Sequence, residues 1–137
     1  MSLKKDFNRK IVVLITEAPY SKPLLIERLR YLENIARNCE YLVLFFYLDG
    51  IHQLHGGQSP KNFIDIESYW DNFAQKFENV EFMACSRCAG ARGYIDFSQS
   101  DTEKNIYRAK DLLDFIKIVS ILKLGKLVQK GYRLIQI

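Results

Sequence analysis

The run Tyr41–Leu48 constrains the fold more than any other feature, because all of its residues are apolar or aromatic. A half-exposed strand alternates apolar and polar residues, whereas a strand that is buried on both faces need not. Ile11–Thr16 is a shorter β-branched run followed by turn residues, and Val80–Ala84 is a third short apolar run. These three runs predict three buried strands.

Helical patterns separate the predicted strands. Between Leu24 and Asn38, apolar residues recur at spacings of four, three and four residues, as on one face of an amphipathic helix. They are Leu25, Leu29, Leu32 and Ala36. A second helical stripe precedes the third strand and consists of Ile66, Tyr69, Trp70, Phe73, Ala74 and Phe77. The segment Asp49–Asn62 holds glycines, a proline and polar residues, and it is predicted to be a long loop.

The last third of the chain continues the alternation. Ser100–Glu103 resembles a capping box and predicts a short helix over Glu103–Leu113. The elements predicted to follow are a strand over Phe115–Ser120, a helix from Ile121 to Val128 that Gly131 can end, and a last strand over Tyr132–Ile137.

This order of elements predicts an α/β protein with an open, mostly parallel five-stranded sheet and helices on both faces. A length of 137 residues matches one domain, and 48% hydrophobic residues are ample for one core. We expect a single domain over residues 1–137, with residues 1–9 as a loosely ordered N-terminal tail.

The charge of the chain argues against nucleic-acid binding. The net charge is +4, and the basic residues that produce it are scattered. A scattered excess is typical of an ordinary basic surface, and no aromatic–basic interleaving of the RNA-recognition type is present. We therefore expect no nucleic acid to be bound directly.

The sequence also predicts a compartment. Its longest apolar run is far shorter than the ~18 residues of a membrane-spanning helix, so we expect no membrane partner. The first residues lack the apolar stretch of a signal peptide, which predicts a cytoplasmic protein. Three cysteines, an odd number, argue against the disulfide framework of a secreted domain.

Cys85 and Cys88 form a Cys-x-x-Cys pair at the end of the third predicted strand. The carboxyl ends of parallel strands share one edge of a sheet, and functional groups gather there in folds of this class. The loops after the first two strands, Glu17–Pro23 and Asp49–Pro60, reach the same edge. The topology therefore predicts a functional site around this pair.

Two arginines, Arg87 and Arg92, lie close to the pair in sequence. Positive neighbours favour the thiolate, which is the reactive form of cysteine. We predict that Cys85 is a nucleophile and that Arg92 and Arg87 stabilise its anion. Cys88 is either a thiol that resolves an oxidised or persulfidated Cys85 by forming a disulfide, or a bystander.

Other interpretations of the pair stay open. Cys85 could be a buried packing residue, since free cysteine is commonly buried. A zinc site needs four ligands, and His52 and His55 could add two, although a solvated loop is the more common setting for such histidines. A thioredoxin-type pair normally opens a helix after an early strand, whereas this pair follows the third strand and precedes a glycine-rich segment. His-x-x-His spacing in a glycine-rich loop is a weak ligand signature, so we expect no metal. No phosphate loop, dinucleotide fingerprint or nucleophile elbow is present, and we expect no cofactor.

Further segments occur in a recognisable order. They are Ala18-Pro19-Tyr20, Phe45–Ile51, Trp70, Cys85–Ile95 with its Arg92-Gly93 dipeptide, and the tail Tyr132–Ile137. Together they resemble the DsrE-like sulfur-carrier family of the DsrE, DsrF and TusD type, where TusD is a subunit of the sulfur relay that serves tRNA thiolation. The resemblance extends from Ile11 to Ile137.

The resemblance implies a flavodoxin-like sheet, a persulfide carried on Cys85, sulfur donor and acceptor proteins as partners, and homo- or hetero-oligomers such as trimers or hexamers. The leading hypothesis is a sulfurtransferase-like relay protein. Cys88 and Arg87 stand where TusD-type sequences have small apolar residues, which leaves room for a disulfide-forming variant. The alternatives are a non-catalytic binding or assembly module of the same fold, and a Cys-x-x-Cys metal-binding or redox regulator.

Overall fold

The computed structural model describes residues 9–20, 25–61 and 64–137, so residues 1–8 of the predicted N-terminal tail lie outside it. The strands are β1 (Lys10–Ile15), β2 (Tyr41–Phe46), β3 (Val80–Cys85), β4 (Ile95–Asp101), β5 (Ile106–Ala109), β6 (Lys117–Val119) and β7 (Arg133–Gln136). The helices are α1 (Leu25–Asn38), α2 (Ile66–Lys76), α3 (Ser86–Ala91) and α4 (Leu122–Gln129), with a 3₁₀ helix over Leu48–Leu54. Among these described helices, none is long and apolar enough to cross a membrane.

In the described part of the chain, one sheet contains five parallel strands in the order β6-β3-β2-β1-β7. The central strand β2 pairs with β1 on one side and with β3 on the other, and Phe45 lies between Leu14 and Met83 in register. The predicted α/β fold with an open, parallel five-stranded sheet is thereby confirmed.

The helices cover both faces of this sheet. The connections from β1 through β2 and β3 to β6 run in one direction, whereas the connection from β6 to β7 returns across the sheet. Because such crossovers are right-handed, opposite directions place their helices on opposite faces. α1 and α2 therefore share a face, where the Tyr69 hydroxyl donates to the Leu29 carbonyl oxygen at 3.1 Å, and α4 lies on the other.

The core is densest around β2, whose residues Leu42–Phe46 are each at most 1% exposed. Trp70 of α2 packs edge-on against Phe46, with 5.5 Å between ring centroids. The Trp70 indole Nε1 donates to Gln53 Oε1 at 3.2 Å, and Gln53 Nε2 donates to the Glu17 carbonyl oxygen at 2.8 Å. Buried polar groups need partners of this kind, so these bonds join α2 to the 3₁₀ helix and to the chain after β1.

The predicted helix over Glu103–Leu113 is wrong, because β4 and β5 form an antiparallel hairpin there. Asp101 Oδ1 accepts a hydrogen bond from the Lys104 backbone N–H at 3.2 Å, as an N-cap side chain does at the start of a helix. Asn105, however, takes a left-handed φ of 54°, and this conformation turns the chain back. The capping motif therefore marks a turn between two strands.

The loop predicted over Asp49–Asn62 begins instead as the 3₁₀ helix, and the strand predicted to reach Leu48 ends at Phe46. The Tyr47 backbone N–H donates to the Ile15 carbonyl oxygen at 2.9 Å, which holds this helix at the end of β1. The approach is so close that a Cβ on Gly50 would overlap the Ile15 carbonyl group. Glycine is therefore required here by packing.

The remaining predicted elements are confirmed. The first three strands, the two helices between them, the fourth strand, the final helix and the final strand all occur, with ends that shift by a few residues. Gly131 follows α4 with a left-handed φ of 96°, as expected of a glycine that ends a helix.

We predict that Gly50→Ala lowers the free energy of unfolding by about 2 kcal/mol or more, because the new methyl group meets backbone that cannot rotate away. Chemical denaturation followed by circular dichroism measures the change. Gly125→Ala in α4 is the matched control, since a Cβ there meets nothing within 4 Å, and it should stabilise the chain by about 0.5–1 kcal/mol. Equal denaturation midpoints for the two variants would contradict this account of Gly50.

Candidate functional site

Cys85 lies at the edge of the sheet where the parallel strands end, which we call the carboxyl edge. It is the last residue of β3, it pairs in register with Val119 of β6, and it immediately precedes α3. Its backbone is extended, with φ −67° and ψ 125°, and the residue is 1% exposed. The structure thus places this candidate nucleophile at the predicted edge, in a buried position.

The residues after Cys85 form a helix, although a glycine-rich loop was expected there. Gly90 is one of the two glycines of that segment. In the structure it lies beneath the ring of Phe97 in β4, and a Cβ at this position would come within 2.8 Å of the Phe97 Cζ atom. Glycine serves close packing at this point, so its presence does not break the helix.

Cys88 is the third residue of α3, and its thiol interacts with the thiol of Cys85. Both cysteines are free, and Cys88 is 7% exposed. The third cysteine, Cys39, is also free and buried, but it precedes β2 and so lies at the opposite, amino edge of the sheet. The fold therefore brings Cys85 and Cys88 together and keeps Cys39 apart.

Leu48 contributes a backbone group to this site. It begins the 3₁₀ helix with a left-handed φ of 51°, a backbone conformation that residues other than glycine and asparagine rarely adopt. Its backbone forms a hydrogen bond with the Cys88 thiol. An uncommon backbone conformation thus places an amide at one sulfur atom of the pair, and such conformations occur most often at functional sites.

Arg92, just after α3, is held in place by a carboxylate from the 3₁₀ helix. Its Nε and Nη2 atoms donate to Asp49 Oδ1 at 3.0 and 2.9 Å, and its Nη1 atom donates to the Cys88 carbonyl oxygen at 3.1 Å. We call this the Arg92–Asp49 clamp. It joins the end of α3 to the 3₁₀ helix and fixes a positive charge near the cysteine pair.

Several groups act on the ionisation of Cys88. Burial raises the pKa of the Cys88 thiol, and the neighbouring Cys85 raises it further. The Leu48 backbone hydrogen bond and the positive charge of Arg92 lower the same pKa. The pKa of Cys88 is raised on balance by burial, and the Leu48 hydrogen bond and Arg92 partly oppose this rise.

Arg87 stands apart from these contacts. The residue is exposed on α3, and its guanidinium makes no hydrogen bond or ion pair with any residue that the structure describes. The structure thus gives the two candidate arginines different surroundings, since Arg92 is clamped beside the pair and Arg87 faces solvent.

Tyr94 and Asp49 are polar residues of this edge that the sequence analysis did not single out. The Tyr94 hydroxyl lies 2.7 Å from His52 Nδ1, and His52 Nε2 lies 4.0 Å from Asp49 Oδ1. Burial raises the pKa of Tyr94. The His55 ring also packs against Tyr94, at 5.6 Å between centroids. The two histidines therefore contact the site instead of lying in a solvated loop.

The signal for these contacts in the sequence is weak. The segment Phe45–Ile51 that carried the family resemblance contains Asp49, but the spacing of residues gives no sign that Tyr94 would meet His52. The site does not supply a set of metal ligands: within the described ranges, no three His, Cys, Asp or Glu side chains come together as a group that could hold a metal ion.

Comparison with known proteins identifies the family of this chain. The model of the DsrE/DsrF-like family matches residues 9–137. The chain belongs to this family. Its relatives include the uncharacterized protein MK0008 of Methanopyrus kandleri, which is 29% identical over 110 residues and is aligned over 78% of this chain and 86% of its own length.

Among solved structures, the YchN protein of E. coli has the same fold. The two structures superpose with a TM-score of 0.70 at 22% sequence identity, over 94% of this chain and 99% of that one. At this identity the likeness shows the fold alone. The resemblance seen in the sequence is confirmed by the family match.

We predict that Arg92→Met raises the pKa of Cys88, because the substitution removes a positive charge that favours the thiolate. The pKa is measured from the pH dependence of the Cys88 Cβ carbon-13 shift in protein labelled at cysteine. Arg87→Met is the matched control and should leave this pKa unchanged. A fall in the pKa on Arg92→Met, or equal changes in both variants, would contradict the role given to Arg92.

Proposed function

We propose that this protein carries sulfur as a persulfide on Cys85 and passes it to the thiol of an acceptor protein, in the manner of a sulfur relay. The observation that carries the proposal is the position of Cys85. It ends β3 at the carboxyl edge of a DsrE/DsrF-like chain, beside a second thiol and a clamped arginine.

The chemistry needs only thiols. In the loading step the Cys85 thiolate attacks the outer sulfur of a donor persulfide, the sulfur–sulfur bond of the donor breaks, and the donor leaves as a thiolate. Cys85 then holds the transferred sulfur as a terminal S–SH group. In the unloading step an acceptor thiolate attacks that outer sulfur, and Cys85 leaves as a thiolate. Each step exchanges one sulfur atom between thiols without net oxidation, so neither step uses a cofactor.

The arginines have different parts in this proposal. Arg92 supplies a fixed positive charge next to the pair while Asp49 holds its orientation. Arg87 is exposed on the same short helix, so it is available to an acidic group of a partner protein. Anion stabilisation within the closed site is thus assigned to Arg92, and partner contact to Arg87.

Burial of Cys85 sets a condition on transfer, because α3 must move before a partner thiol can reach the sulfur. The helix has six residues, and the Arg92–Asp49 clamp fastens its end. Short elements of this kind open at a smaller free energy than core strands. Between transfers, the closed site shields the persulfide from water and from stray thiols. Donor and acceptor proteins are proposed to dock where α3 meets the 3₁₀ helix.

Self-association into trimers or hexamers is part of the same proposal. The hairpin of β4 and β5 exposes two large apolar side chains, Phe97 and Ile106, which are 54% and 59% exposed. Apolar surface of this kind favours contact between protein chains. Native mass spectrometry of the full chain, and of a Phe97→Ser variant, tests whether copies associate through this hairpin.

We predict that a Cys88→Ala chain, treated with glutathione persulfide, gains the mass of one sulfur atom on Cys85. Cys88 is replaced so that one thiol of the pair remains and the adduct has no neighbouring thiol with which to react. Intact-mass measurement, followed by peptide mapping of the alkylated adduct, locates the sulfur. The Cys85→Ser/Cys88→Ala double variant should gain no sulfur.

Cys39 provides the matched control, because it is another free and buried cysteine. The Cys39→Ala/Cys88→Ala double variant should take up sulfur as the Cys88→Ala chain does. A chain that takes up no sulfur on Cys85, although circular dichroism shows it folded, would favour the packing interpretation of Cys85 and a non-catalytic assembly module.

A further inference from the structure

Cys88 is a reactive group that the relay itself does not use. Its thiol interacts with that of Cys85, and both residues are almost completely buried, so the neighbour that a sulfur on Cys85 meets first is this thiol. A relay with one working cysteine has no need of a second thiol in this place.

We propose that Cys88 discharges the Cys85 persulfide, releasing the carried sulfur as hydrosulfide and leaving a disulfide between Cys85 and Cys88. This inference rests on the proposed function, because it begins from a persulfide on Cys85. It adds a second activity, persulfide cleavage, which competes with transfer to an acceptor protein.

The reaction balances without an external oxidant. The Cys88 thiolate attacks the inner sulfur, which is Sγ of Cys85, and forms the new Sγ–Sγ bond. The bond between Cys85 Sγ and the terminal sulfur breaks, and the terminal sulfur leaves with the electron pair as hydrosulfide. The sulfane sulfur is reduced to sulfide while the two cysteine sulfurs are oxidised to a disulfide. The proton lost from Cys88 passes to solvent.

The positions of the two residues suit this bond. Cys85 is the N-cap residue of α3 and Cys88 is its third residue, and in the capping boxes of other helices the side chain at each of these positions reaches the backbone of the other. Cys85 itself is extended, and its thiol interacts with that of Cys88 across the start of the helix. The two Cβ atoms of a disulfide lie about 4 Å apart, so a small closure of the first turn of α3 is sufficient.

The polar surroundings of Cys88 offset part of the cost of ionising this buried thiol. Burial keeps the pKa of Cys88 above its usual value, while the Leu48 backbone hydrogen bond and the Arg92 charge both act to stabilise its thiolate. Arg92 also donates to the Cys88 carbonyl oxygen at 3.1 Å, which holds this turn of the chain against the 3₁₀ helix. The group that must become an anion is therefore the one that receives these two favourable interactions.

Discharge gives the persulfide a limited lifetime. An acceptor that docks promptly receives the sulfur, whereas a persulfide that meets no acceptor is released as hydrosulfide. The disulfide then blocks Cys85 until a dithiol reductant restores both thiols by exchange.

The test uses the full chain, reduced, freed of reductant without oxygen, and mixed with one equivalent of glutathione persulfide. Intact mass and released sulfide are measured for wild type, Cys88→Ser, Cys88→Ala and Cys39→Ala. Wild type and Cys39→Ala should lose the mass of two hydrogen atoms relative to the reduced protein and release sulfide. Both Cys88 variants should keep one added sulfur atom and release at least about ten-fold less sulfide.

The outcomes separate the two proposals. Sulfur that stays on wild type as firmly as on the Cys88 variants, with no disulfide, overturns discharge and leaves the relay intact. Sulfur that moves to Cys88, located by peptide mapping, also overturns discharge, because it shows attack on the outer sulfur. Failure of both folded Cys88 variants to take up sulfur overturns the relay and, with it, the discharge.

Discussion

Each residue from Leu42 to Phe46 is shielded from solvent, so the backbone amides of β2 can find partners only in the strands on either side. β1 and β3 supply them in a parallel arrangement. Parallel strands require their connections to return across the faces of the sheet, which places α1 and α2 over the apolar side chains. The five parallel strands then end at one edge, and the segments that leave β2 and β3 there must pack against each other.

This packing explains the composition of the site. The 3₁₀ helix can approach β1 closely because Gly50 has no side chain, and Leu48 takes a left-handed conformation as the chain leaves the strand. α3 packs against the same helix, and the Arg92–Asp49 clamp connects the two. The Leu48 amide and the Arg92 charge consequently reach Cys88. The second cysteine thus receives two polar interactions that oppose the effect of burial on its pKa.

The sheet could be predicted from sequence because burial on both faces leaves a long apolar run. The helices α1 and α2 could be predicted because their apolar residues recur at helical spacing. The hairpin of β4 and β5 could not be predicted, since the contact of Asp101 with the Lys104 amide occurs both at helix starts and in turns. The left-handed conformation of Asn105 decides that the chain turns back here. The edge that holds Cys85 followed from topology. The contact between Tyr94 and His52 did not, because it joins residues 42 positions apart whose spacing carries no pattern.

The place of Cys39 has a consequence for the handling of this protein. β3 separates the two edges of the sheet by six residues, which is about 20 Å at ~3.3 Å per residue. No small motion brings Cys39 to the pair, and a disulfide requires Cα atoms within about 7 Å. Within one chain, a linkage between Cys39 and either of the other cysteines can therefore form only after the sheet has been lost. Non-reducing peptide maps that contain this linkage record past unfolding of a sample, independently of its activity.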